Sequence, residues 1–432
     1  MIINFSIQNF GSIKDRQILS FEADKSTHLE NYYVVQPIEG LRLLKLGLIY
    51  GANASGKTTI LKALDFLRNL VLKPNSQKTE TFDFKPFLFD ENTPKQNSVF
   101  TIEFVQNKIR YYYEVELNEK AIVREDLYFY NPNKANVFKR TTNLEKQLSA
   151  IIFGSKIKVD KIATEVLESN TLWNNTVLGG FLKTNIELKE LKEVTDWFTN
   201  YLNQLIKPRT DLNKFTSSRI KKSLMQKNVV LEILKQADFN ISDIQFRKEI
   251  IDVPNGIIEF IESPTFASTN KEYQVKSDKQ LFTENLEFEH TINNHTFSLI
   301  FEEESQGTQK YYGFAGLLYS LIKNSEAFSI DELETSLHPD LFIHFLLSFL
   351  VNAKHSQIIA TTHNREILNN KDIFRTDAIW ITDKFEDAST NLYSLADFDT
   401  SVIRDTSNIY NAYKIGKLGG IPNVGDYYID IE

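Results

Sequence analysis

The sequence predicts an α/β fold that combines a parallel core sheet with an antiparallel β subdomain and is interrupted by a helical insertion. Three observations predict this fold. A nearly all-apolar run over residues 43–50 leads into a glycine-rich turn and an amphipathic helix, which is typical of a buried parallel strand in a βα unit. Alternating apolar and polar residues over 98–130 indicate an antiparallel meander. Helical spacing over about 140–235 indicates the insertion.

The N-terminal elements follow from local patterns. Residues 2–9 alternate, which places Ile3, Phe5 and Ile7 on one face of a strand. The run LLKLGLIY over 43–50 predicts a single buried strand. A helix is predicted over Lys57–Leu72 because one face is apolar. That face consists of Ile60, Leu61, Leu64, Leu67 and Val71.

The remaining elements are read in the same way. The meander contains SVFTIEFVQ, KIRYYYEVEL and IVREDLYFY, with Asn107 and Asn118 near the turns. The insertion has apolar residues at helical spacing, namely Leu182, Ile186, Leu191, Val194, Phe198, Leu202 and Leu205. Strand-like alternation returns over 241–300, and 307–350 reads as helix, strand, helix. QIIATTH and DAIWITDK are two more strands, and the tail from Leu395 is weakly patterned.

Composition excludes several classes of protein. The chain has 432 residues, a formal net charge of −8 and no Cys. The absence of Cys excludes a disulfide scaffold, a thiolate zinc site and a cysteine nucleophile. The acidic balance disfavours a dedicated double-helix binder. There is no apolar run of about 18 residues and no basic segment followed by an apolar stretch at the N-terminus. We therefore expect no membrane span and a cytoplasmic location.

A phosphate-binding loop is predicted at GANASGKT, residues 51–58, which fits G-x-x-x-x-G-K-[ST] at every fixed position. Gly51 and Gly56 allow the backbone amides to point into the loop, where they cradle phosphate oxygens together with the helix N-terminus. Lys57 is expected to reach the β and γ phosphates, and the Thr58 hydroxyl to ligate Mg²⁺. Additional nucleotide contacts are assigned to Asn53, Ser55 and Thr59.

An acidic centre is predicted in AFSIDELETSLHP, residues 327–339, where Asp331 and Glu332 end a buried strand. Asp331 is expected to hold Mg²⁺, and Glu332, whose side chain points the other way, to polarise the attacking water. Lys57 and Asp331 are 274 residues apart. This spacing is far longer than in small nucleoside kinases or GTPases, and it disfavours a nucleotide kinase or another phosphotransferase.

These motifs resemble the ABC-type ATPases of the SMC, Rad50 and RecF group, and more closely the prokaryotic AAA-15/AAA-21 ATP-binding proteins of abortive-infection and other anti-phage systems, including PARIS AriA-like and OLD-related ones. The resemblance spans most of the chain. Its motifs are MIINFSIQNFGSIKD, GANASGKTT, the aromatic-rich meander, ESQGTQKYYGF, IDELETSLHP, TTHN and KIGKLGGIPNV. It implies an ABC-ATPase head, that is, a P-loop NTPase core sheet with an antiparallel β subdomain.

The resemblance also assigns roles to residues outside the phosphate loop. Ser305 and Gly307, in SQGTQ rather than the commoner SGGQ form, resemble the ABC signature that reaches the γ-phosphate of ATP bound to the other protomer. Ser336–His338 resembles the D-loop, and His363 the switch histidine that senses the γ-phosphate. Gln106 is the candidate for the Q-loop glutamine that contacts the metal. Two ATP molecules with Mg²⁺ would then be sandwiched in a homodimer or a higher homo-oligomer.

The predicted organisation has four segments. Residues 1–139 form the N-terminal half of the ATPase head, 140–240 the helical insertion, 241–394 the C-terminal half, and 395–432 a tail that packs on the head. The insertion lacks sustained heptads, so no long coiled coil is expected. Its basic stretch KFTSSRIKKSLMQK, residues 214–227, is either a solvated helical face or a contact for nucleic acid or an acidic partner.

Two functions compete at this stage. The first is an ATP-hydrolysing switch and scaffold of an anti-phage system, which answers a phage trigger and holds or activates a separate effector such as a Toprim or other nuclease. Only 69 residues follow His363 and their acidic residues are scattered, so no built-in nuclease is expected. The alternative is a RecF- or SMC-like DNA repair ATPase that binds DNA in an ATP-dependent way. Binding to DNA stays open, and no membrane partner is expected.

Overall fold

The computed structural model describes residues 1–252, 274–276, 280–398 and 409–422. The predicted alternation over 253–273 and the tail beyond residue 422, including the last two residues of KIGKLGGIPNV, lie outside the described residues. Within the described residues the chain divides into two compact units. The first contains residues 1–210, 321–335 and the chain from 346 onwards, and the second contains 211–320 and 336–345.

The described strands, in chain order, are β1 (Ile2–Gln8), β2 (Gln17–Ser20), β3 (Val34–Ile38), β4 (Leu41–Leu44), β5 (Leu46–Gly51), β6 (Ser98–Gln106), β7 (Ile109–Leu117), β8 (Ile122–Tyr130), β9 (Lys134–Asn143), β10 (Leu148–Phe153), β11 (Asp243–Asp252), β12 (Gln274–Lys276), β13 (Gln280–Ile292), β14 (His295–Ile300), β15 (Ala327–Ile330), β16 (Gln357–Thr361), β17 (Ile379–Lys384) and β18 (Thr390–Ser394).

The described α-helices are α1 (Glu30–Tyr33), α2 (Lys57–Leu72), α3 (Lys161–Asn170), α4 (Val177–Phe181), α5 (Lys189–Asn200), α6 (Leu212–Ile220), α7 (Leu224–Gln236), α8 (Gln306–Lys323), α9 (Pro339–Asn352) and α10 (Ile409–Lys414). The predicted bounds of α2 are confirmed. The helix–strand–helix pattern of α8, β15 and α9 and the strands β16 and β17 are confirmed as well.

A five-stranded core sheet lies in the first unit, with the strand order β15-β16-β5-β17-β18. Its first four strands are parallel and β18 is antiparallel. β5, β15 and β16 are buried along their whole length, as their apolar sequences predict. Because the carboxyl ends of parallel strands meet at one edge, residues that follow β5, β15 and β16 are brought together there.

An antiparallel sheet of seven strands also lies in the first unit, in the order β10-β9-β8-β7-β6-β1-β2. The meander β6-β7-β8 confirms the prediction for 98–130. The side chain of the fully buried Gln357, at the start of β16, joins this sheet to the core sheet. Its amide accepts a hydrogen bond from the Ile2 N–H at 2.6 Å and donates to the Ile2 and Leu44 carbonyls at 3.0 Å each.

The single strand predicted over 43–50 is wrong in detail, because the run is split at Lys45 into β4 and β5. β4 pairs with β3, whereas β5 enters the core sheet. The buried Lys45 ammonium donates to the carbonyls of Leu350 and Ala353, which end α9. The apolar pattern did not reveal the break because a charged side chain with such partners can be buried.

The helical stretch of the insertion begins later than predicted. Residues 140–143 end β9, residues 148–153 form β10, and helices are present from Lys161 to Gln236. The compact units also cut across 140–240. α5 belongs to the first unit because Trp197 stacks on Phe104 of β6, with ring centroids 4.0 Å apart. α6 and α7 belong to the second unit.

Residues 202–206 continue the helical spacing of the sequence but are extended. Leu202 pairs with Ala327, and Ile206 with Ile330, both in parallel along β15. The Asp331 N–H donates to the Ile206 carbonyl at 2.8 Å. The apolar residues of a short segment can fit the spacing of a helix or that of a strand. Here pairing with the free edge of β15 favours an extended backbone.

The second unit contains α6 and α7 together with the antiparallel strands β11 to β14, in which β13 pairs with the other three. An aromatic cluster forms part of its core, with Phe288, Phe301 and Tyr312 at centroid distances of 5.3 to 5.4 Å. Among the described ranges of the whole chain, no helix is both long and apolar enough to cross a membrane.

Candidate functional site

The predicted phosphate loop lies between β5 and α2, at the carboxyl edge of the core sheet. The Lys57 ammonium is buried and donates to the Gly51 and Ala52 carbonyls, each at 2.9 Å. Burial lowers the Lys57 pKa, and the charges of Asp331, Glu332 and Glu334 oppose that shift. The lysine is therefore held against its own loop, close to three carboxylates.

Gly56 is required by the shape of this loop. Its φ of +106° lies in a region that other residues rarely adopt. A Cβ atom there would also lie 2.1 Å from the Thr390 hydroxyl oxygen. The neighbouring Thr390 hydroxyl donates to the Ser55 carbonyl at 3.0 Å, and its oxygen lies within hydrogen-bond distance of the Ser12 hydroxyl, at 2.8 Å. Contacts from β18 and from the turn after β1 thus hold the backbone of the phosphate loop in place.

Two of the three predicted metal ligands, Thr58 and Asp331, come from distant parts of the chain and lie together. The Thr58 hydroxyl donates to both Asp331 carboxylate oxygens, at 3.0 and 3.1 Å. The Thr361 hydroxyl donates to Asp331 Oδ1 at 2.7 Å. A hydroxyl and a carboxylate that already touch form the hard oxygen set that Mg²⁺ prefers. The residues present therefore fit a magnesium ion beside a phosphate loop.

Glu332 has an unusual backbone, with φ at +50°. Its N–H donates to the Thr361 hydroxyl at 2.8 Å, and its carboxylate accepts a weak hydrogen bond from Thr335 at 3.3 Å. A left-handed backbone at a residue with a Cβ costs about 1–2 kcal/mol. The contact with Thr361 helps to hold this conformation, which leaves the Glu332 side chain exposed at the edge of the sheet.

His363 follows β16 at the same edge. Its N–H donates to Glu334 Oε1 at 2.5 Å. Partial burial and the nearby Lys57 charge lower the pKa of its imidazole below the usual value, so the neutral form is favoured near neutral pH. The structure therefore brings Lys57, Thr58, Asp331, Glu332 and His363 to one edge of the core sheet.

The three residues predicted as additional nucleotide contacts, Asn53, Ser55 and Thr59, differ in how their side chains are placed. Asn53 is exposed at the tip of the loop. The Ser55 hydroxyl is buried and forms a hydrogen bond with the Thr382 hydroxyl at 2.6 Å, so this side chain faces the protein rather than the loop cavity. Thr59 is half-buried, and its hydroxyl accepts from Ser12 at 3.1 Å.

Gln106 is not brought to this site. It ends β6, where Phe104 pairs with Ile2. The Ile2 N–H in turn binds Gln357, at the start of β16, whereas Asp331 lies beside Thr361 at the end of that strand. The prediction that Gln106 contacts the metal is therefore corrected: pairing within the antiparallel sheet carries it towards the opposite end of β16.

The predicted signature lies in the second unit. Ser305 directly precedes α8, and its hydroxyl oxygen accepts from the Thr308 N–H at 3.1 Å, which is an N-cap. A Cβ on Gly307 would meet only Ser305 Oγ and the Ser336 carbonyl, both at an unstrained 3.7 Å. The fold of the unit therefore does not require a glycine at 307. Ser336 has a φ of +65°, and His338 is exposed.

The basic stretch 214–227 is largely paired within the second unit. Lys227 forms an ion pair with Asp243 at 2.7 Å, and Lys221 with Glu284. The Arg219 guanidinium binds the Ser320 hydroxyl at 2.6 Å and lies over the Phe215 ring. These contacts favour the interpretation of this stretch as a solvated helical face.

Among the described residues there is no cluster of three or more His, Asp or Glu side chains that could hold a metal.

Comparison with protein families decides the identity. Residues 48–155 and 200–369 match the family described as "AAA domain, putative AbiEii toxin, Type IV TA system". The chain belongs to this AAA-21 family. The AAA domain makes it a P-loop ATPase, as its phosphate loop predicted. Both matched segments include parts of the site, the first the phosphate loop and the second Asp331 to His363.

Solved structures similar to this AAA-21 chain include the SMC head domain from Thermotoga maritima, at 13% identity and a TM-score of 0.40. That match covers 91% of this chain and 98% of the other. The Pyrococcus furiosus Smc head domain with an extended coiled coil, bound to the C-terminal domain of ScpA, has 12% identity and a TM-score of 0.42, covering 94% and 98%. We base no functional statement on similarity this distant. No curated protein matches the chain.

Several residues of the AAA-21 site were not predicted. Thr361 could have been suspected, because it ends the strand just before His363. Glu334, in the same motif as Asp331, carried no separate signal. The described part of the tail also reaches the phosphate loop: the Tyr413 ring packs edge-on against Tyr50, at 5.8 Å, and its hydroxyl donates to the Gly420 carbonyl at 2.9 Å. No sequence pattern indicates these contacts.

Proposed function

We propose that this AAA-21 ATPase is the ATP-binding and hydrolysing switch and scaffold subunit of an anti-phage defence system, and that it holds or activates a separately encoded toxic effector such as a nuclease. The contact between Thr58 and Asp331 beside Lys57 carries the ATPase part of the proposal. The defence part is supported by the description of the family, which names a toxin and a type IV toxin–antitoxin system.

Each residue at the edge of the core sheet has a proposed task. Bound Mg²⁺-ATP supplies the phosphoanhydride bond that is cleaved and the cation that screens its charge. Lys57 and the loop amides bind phosphate oxygens, while Thr58 and Asp331 hold the cation. The exposed Glu332 carboxylate accepts a proton from the attacking water. The neutral imidazole of His363 can accept or donate a hydrogen bond at the γ-phosphate.

ATP-dependent pairing of two copies is part of the proposal. Ser305 and Gly307 would complete the site of a second copy in a two-fold symmetric dimer. Gly307 supports this, because a Cβ there would lie an unstrained 3.7 Å from its neighbours, so the fold of its own unit gives no reason for a glycine and close contact with another chain would give one. In a Glu332→Gln variant, which binds ATP but does not hydrolyse it, we expect a stable dimer in light scattering with ATP. Adding Gly307→Arg should leave a monomer that still binds ATP.

Enzymatic turnover tests the catalytic assignment. Glu332→Gln should keep ATP binding and lower kcat about 10²- to 10⁴-fold, the range for a general base. Thr335→Val, which removes only the weak 3.3 Å contact to Glu332, serves as the control and should stay within about threefold of the parent. Normal turnover in Glu332→Gln would show that another group is the base.

The defence role is tested in cells that carry the gene with its neighbouring open reading frames. We expect protection from phage, loss of protection in Lys57→Ala and Glu332→Gln, and co-purification of a neighbouring gene product. Lys62→Ala is a suitable control, because this exposed lysine lies on the same helix as Lys57. Neither protection nor a partner would contradict the proposal. Tight, salt-sensitive DNA binding that requires Lys57 would instead favour a DNA repair ATPase.

A further inference from the structure

Besides the hydrogen bond from the Thr361 hydroxyl to Asp331, three hydrogen bonds tie the acidic segment after β15 to the segment at the end of β16. The Glu332 N–H donates to the Thr361 hydroxyl at 2.8 Å, and the Leu333 N–H to the Thr361 carbonyl at 3.1 Å. The third bond runs the other way, from the His363 N–H to Glu334 Oε1 at 2.5 Å. Among the described residues, only this third bond holds His363 itself, and of the three it alone uses a side chain of the acidic segment.

The Glu334 carboxylate is an unusual partner for a backbone N–H in this position. Its second oxygen, Oε2, is buried and has no hydrogen-bond partner among the described residues. The Tyr50 hydroxyl, at the end of the strand before the phosphate loop, is also buried and has no hydrogen-bond partner among the described residues. Burial and then the Glu334 charge raise the Tyr50 pKa, and the same charge opposes the lowering of the Lys57 pKa. The Glu334 side chain is thus half-buried, with its Oε2 enclosed and its Oε1 bound to the His363 N–H.

A carboxylate with one oxygen buried and unsatisfied costs free energy unless its other contacts compensate. A neutral side-chain acceptor could also bind the His363 N–H, though less strongly than a carboxylate. A side chain that reaches from the acidic segment to His363 therefore makes most sense as a constraint on where His363 lies. Charge-assisted hydrogen bonds to backbone N–H groups are short and directional, and they suit that task.

We propose that Glu334 is a positioning residue for His363. By binding the His363 N–H it fixes the start of the segment after β16 to the acidic segment, so that the imidazole and Glu332 keep one relative position through the reaction. This inference deepens the proposed function and rests on the role proposed there for His363. Glu334 is not assigned contact with the substrate.

Two substitutions at Glu334 separate position from charge. Glu334→Gln keeps an acceptor oxygen of the same reach, whereas Glu334→Ala removes it. We expect Glu334→Ala to lower kcat about 10- to 100-fold, the effect of a small misplacement of a reacting group, with ATP affinity within about threefold of the parent. Glu334→Gln should recover most of the turnover. Equal losses in both variants would overturn the proposal and point to a role for the charge.

A double-mutant cycle with His363→Ala tests whether Glu334 acts through the histidine. If it does, Glu334→Ala should have little further effect on kcat in the His363→Ala background. Multiplying effects would overturn the positioning role. If His363→Ala alone leaves turnover unchanged, the proposed role of His363 in the reaction fails. The hydrogen bond between Glu334 and the His363 N–H is then not contradicted.

Amide hydrogen exchange tests the hydrogen bond from the His363 N–H to Glu334 without reference to turnover. The His363 amide of the intact protein should exchange about tenfold faster or more in Glu334→Ala than in the parent, while Glu334→Gln stays close to the parent. Tyr50→Phe, which removes the neighbouring unpaired hydroxyl, is the matched control and should leave this exchange unchanged. Unchanged exchange in Glu334→Ala would refute the inference, whatever the effect on kcat.

Discussion

Replacement of Thr361 by valine is the sharpest test of how the site is held together. Valine keeps the branched shape of threonine and removes only the hydroxyl. That hydroxyl donates to Asp331 Oδ1 at 2.7 Å and accepts from the Glu332 N–H at 2.8 Å. The substitution thus removes one bond to a proposed metal ligand and one bond to the proposed base, with little change in packing volume.

The magnitude follows from these two bonds. A hydrogen bond to a charged group contributes about 1.5–3 kcal/mol and a neutral one about 0.5–1.5 kcal/mol. The backbone of Glu332, at φ +50°, also loses a contact that holds its left-handed conformation. We expect the free energy of unfolding to fall by about 2–4 kcal/mol. Because Thr361 orients Asp331, apparent Mg²⁺ affinity in the ATPase reaction should fall about 10- to 100-fold.

Thr362→Val is the matched control. Thr362 is as buried as Thr361, but its hydroxyl only accepts from the Asn364 N–H at 3.0 Å. Its loss should cost about 1 kcal/mol and leave the Mg²⁺ dependence unchanged. Urea titration followed by fluorescence, together with ATPase rates across a Mg²⁺ series, measures both quantities. If Thr361→Val and Thr362→Val behaved alike in both assays, the assigned role of Thr361 would be refuted.

Three further predictions concern other parts of the first unit. Lys57→Ala should abolish binding of a fluorescent ATP analogue, whereas Lys62→Ala should bind normally; retained binding in Lys57→Ala would contradict the loop assignment. Burial raises the pKa of Glu125 to about 7 from 4.5, so the folded state keeps its proton longer than the unfolded state, and stability should fall as the pH rises from about 4.5 to about 7, by at most about 3 kcal/mol. Glu125→Gln should flatten this dependence in urea titrations at pH 5 and pH 8; an equally steep profile would refute it. Gly420→Ala should lower the melting temperature more than Gly40→Ala, because both have positive φ but only at Gly420 would a Cβ meet a close neighbour, Ile381 Cγ2 at 2.6 Å.

The phosphate loop shows what a local motif can predict. The sequence of 51–58, an apolar run before it and an amphipathic segment after it are sufficient to predict the strand, the turn and the helix over Lys57–Leu72. All three depend on residues that are neighbours in the chain, so sequence spacing contains the geometry. The alternating meander was predictable for the same reason, because consecutive hairpins pair adjacent strands.

The sequence failed where distant parts of the chain compete for one segment. Lys45 interrupts an apolar run because the end of α9 offers carbonyl partners to its ammonium. Residues 202–206 are extended because β15 has a free edge beside them. Gln106 is carried away from Asp331 by the strand pairing of β6. No local pattern records which partner a segment will meet.

The sequence by itself determined the class of this protein: the phosphate loop and the match to the AAA-21 family identify a P-loop ATPase. Only the tertiary structure decided how those pieces act together. The core sheet aligns the ends of β15 and β16, which places Thr361 between Asp331 and Glu332 and lets Glu334 bind the His363 N–H. The physical reason is the short range of hydrogen bonds: they act only between groups that the fold has already brought within about 3 Å.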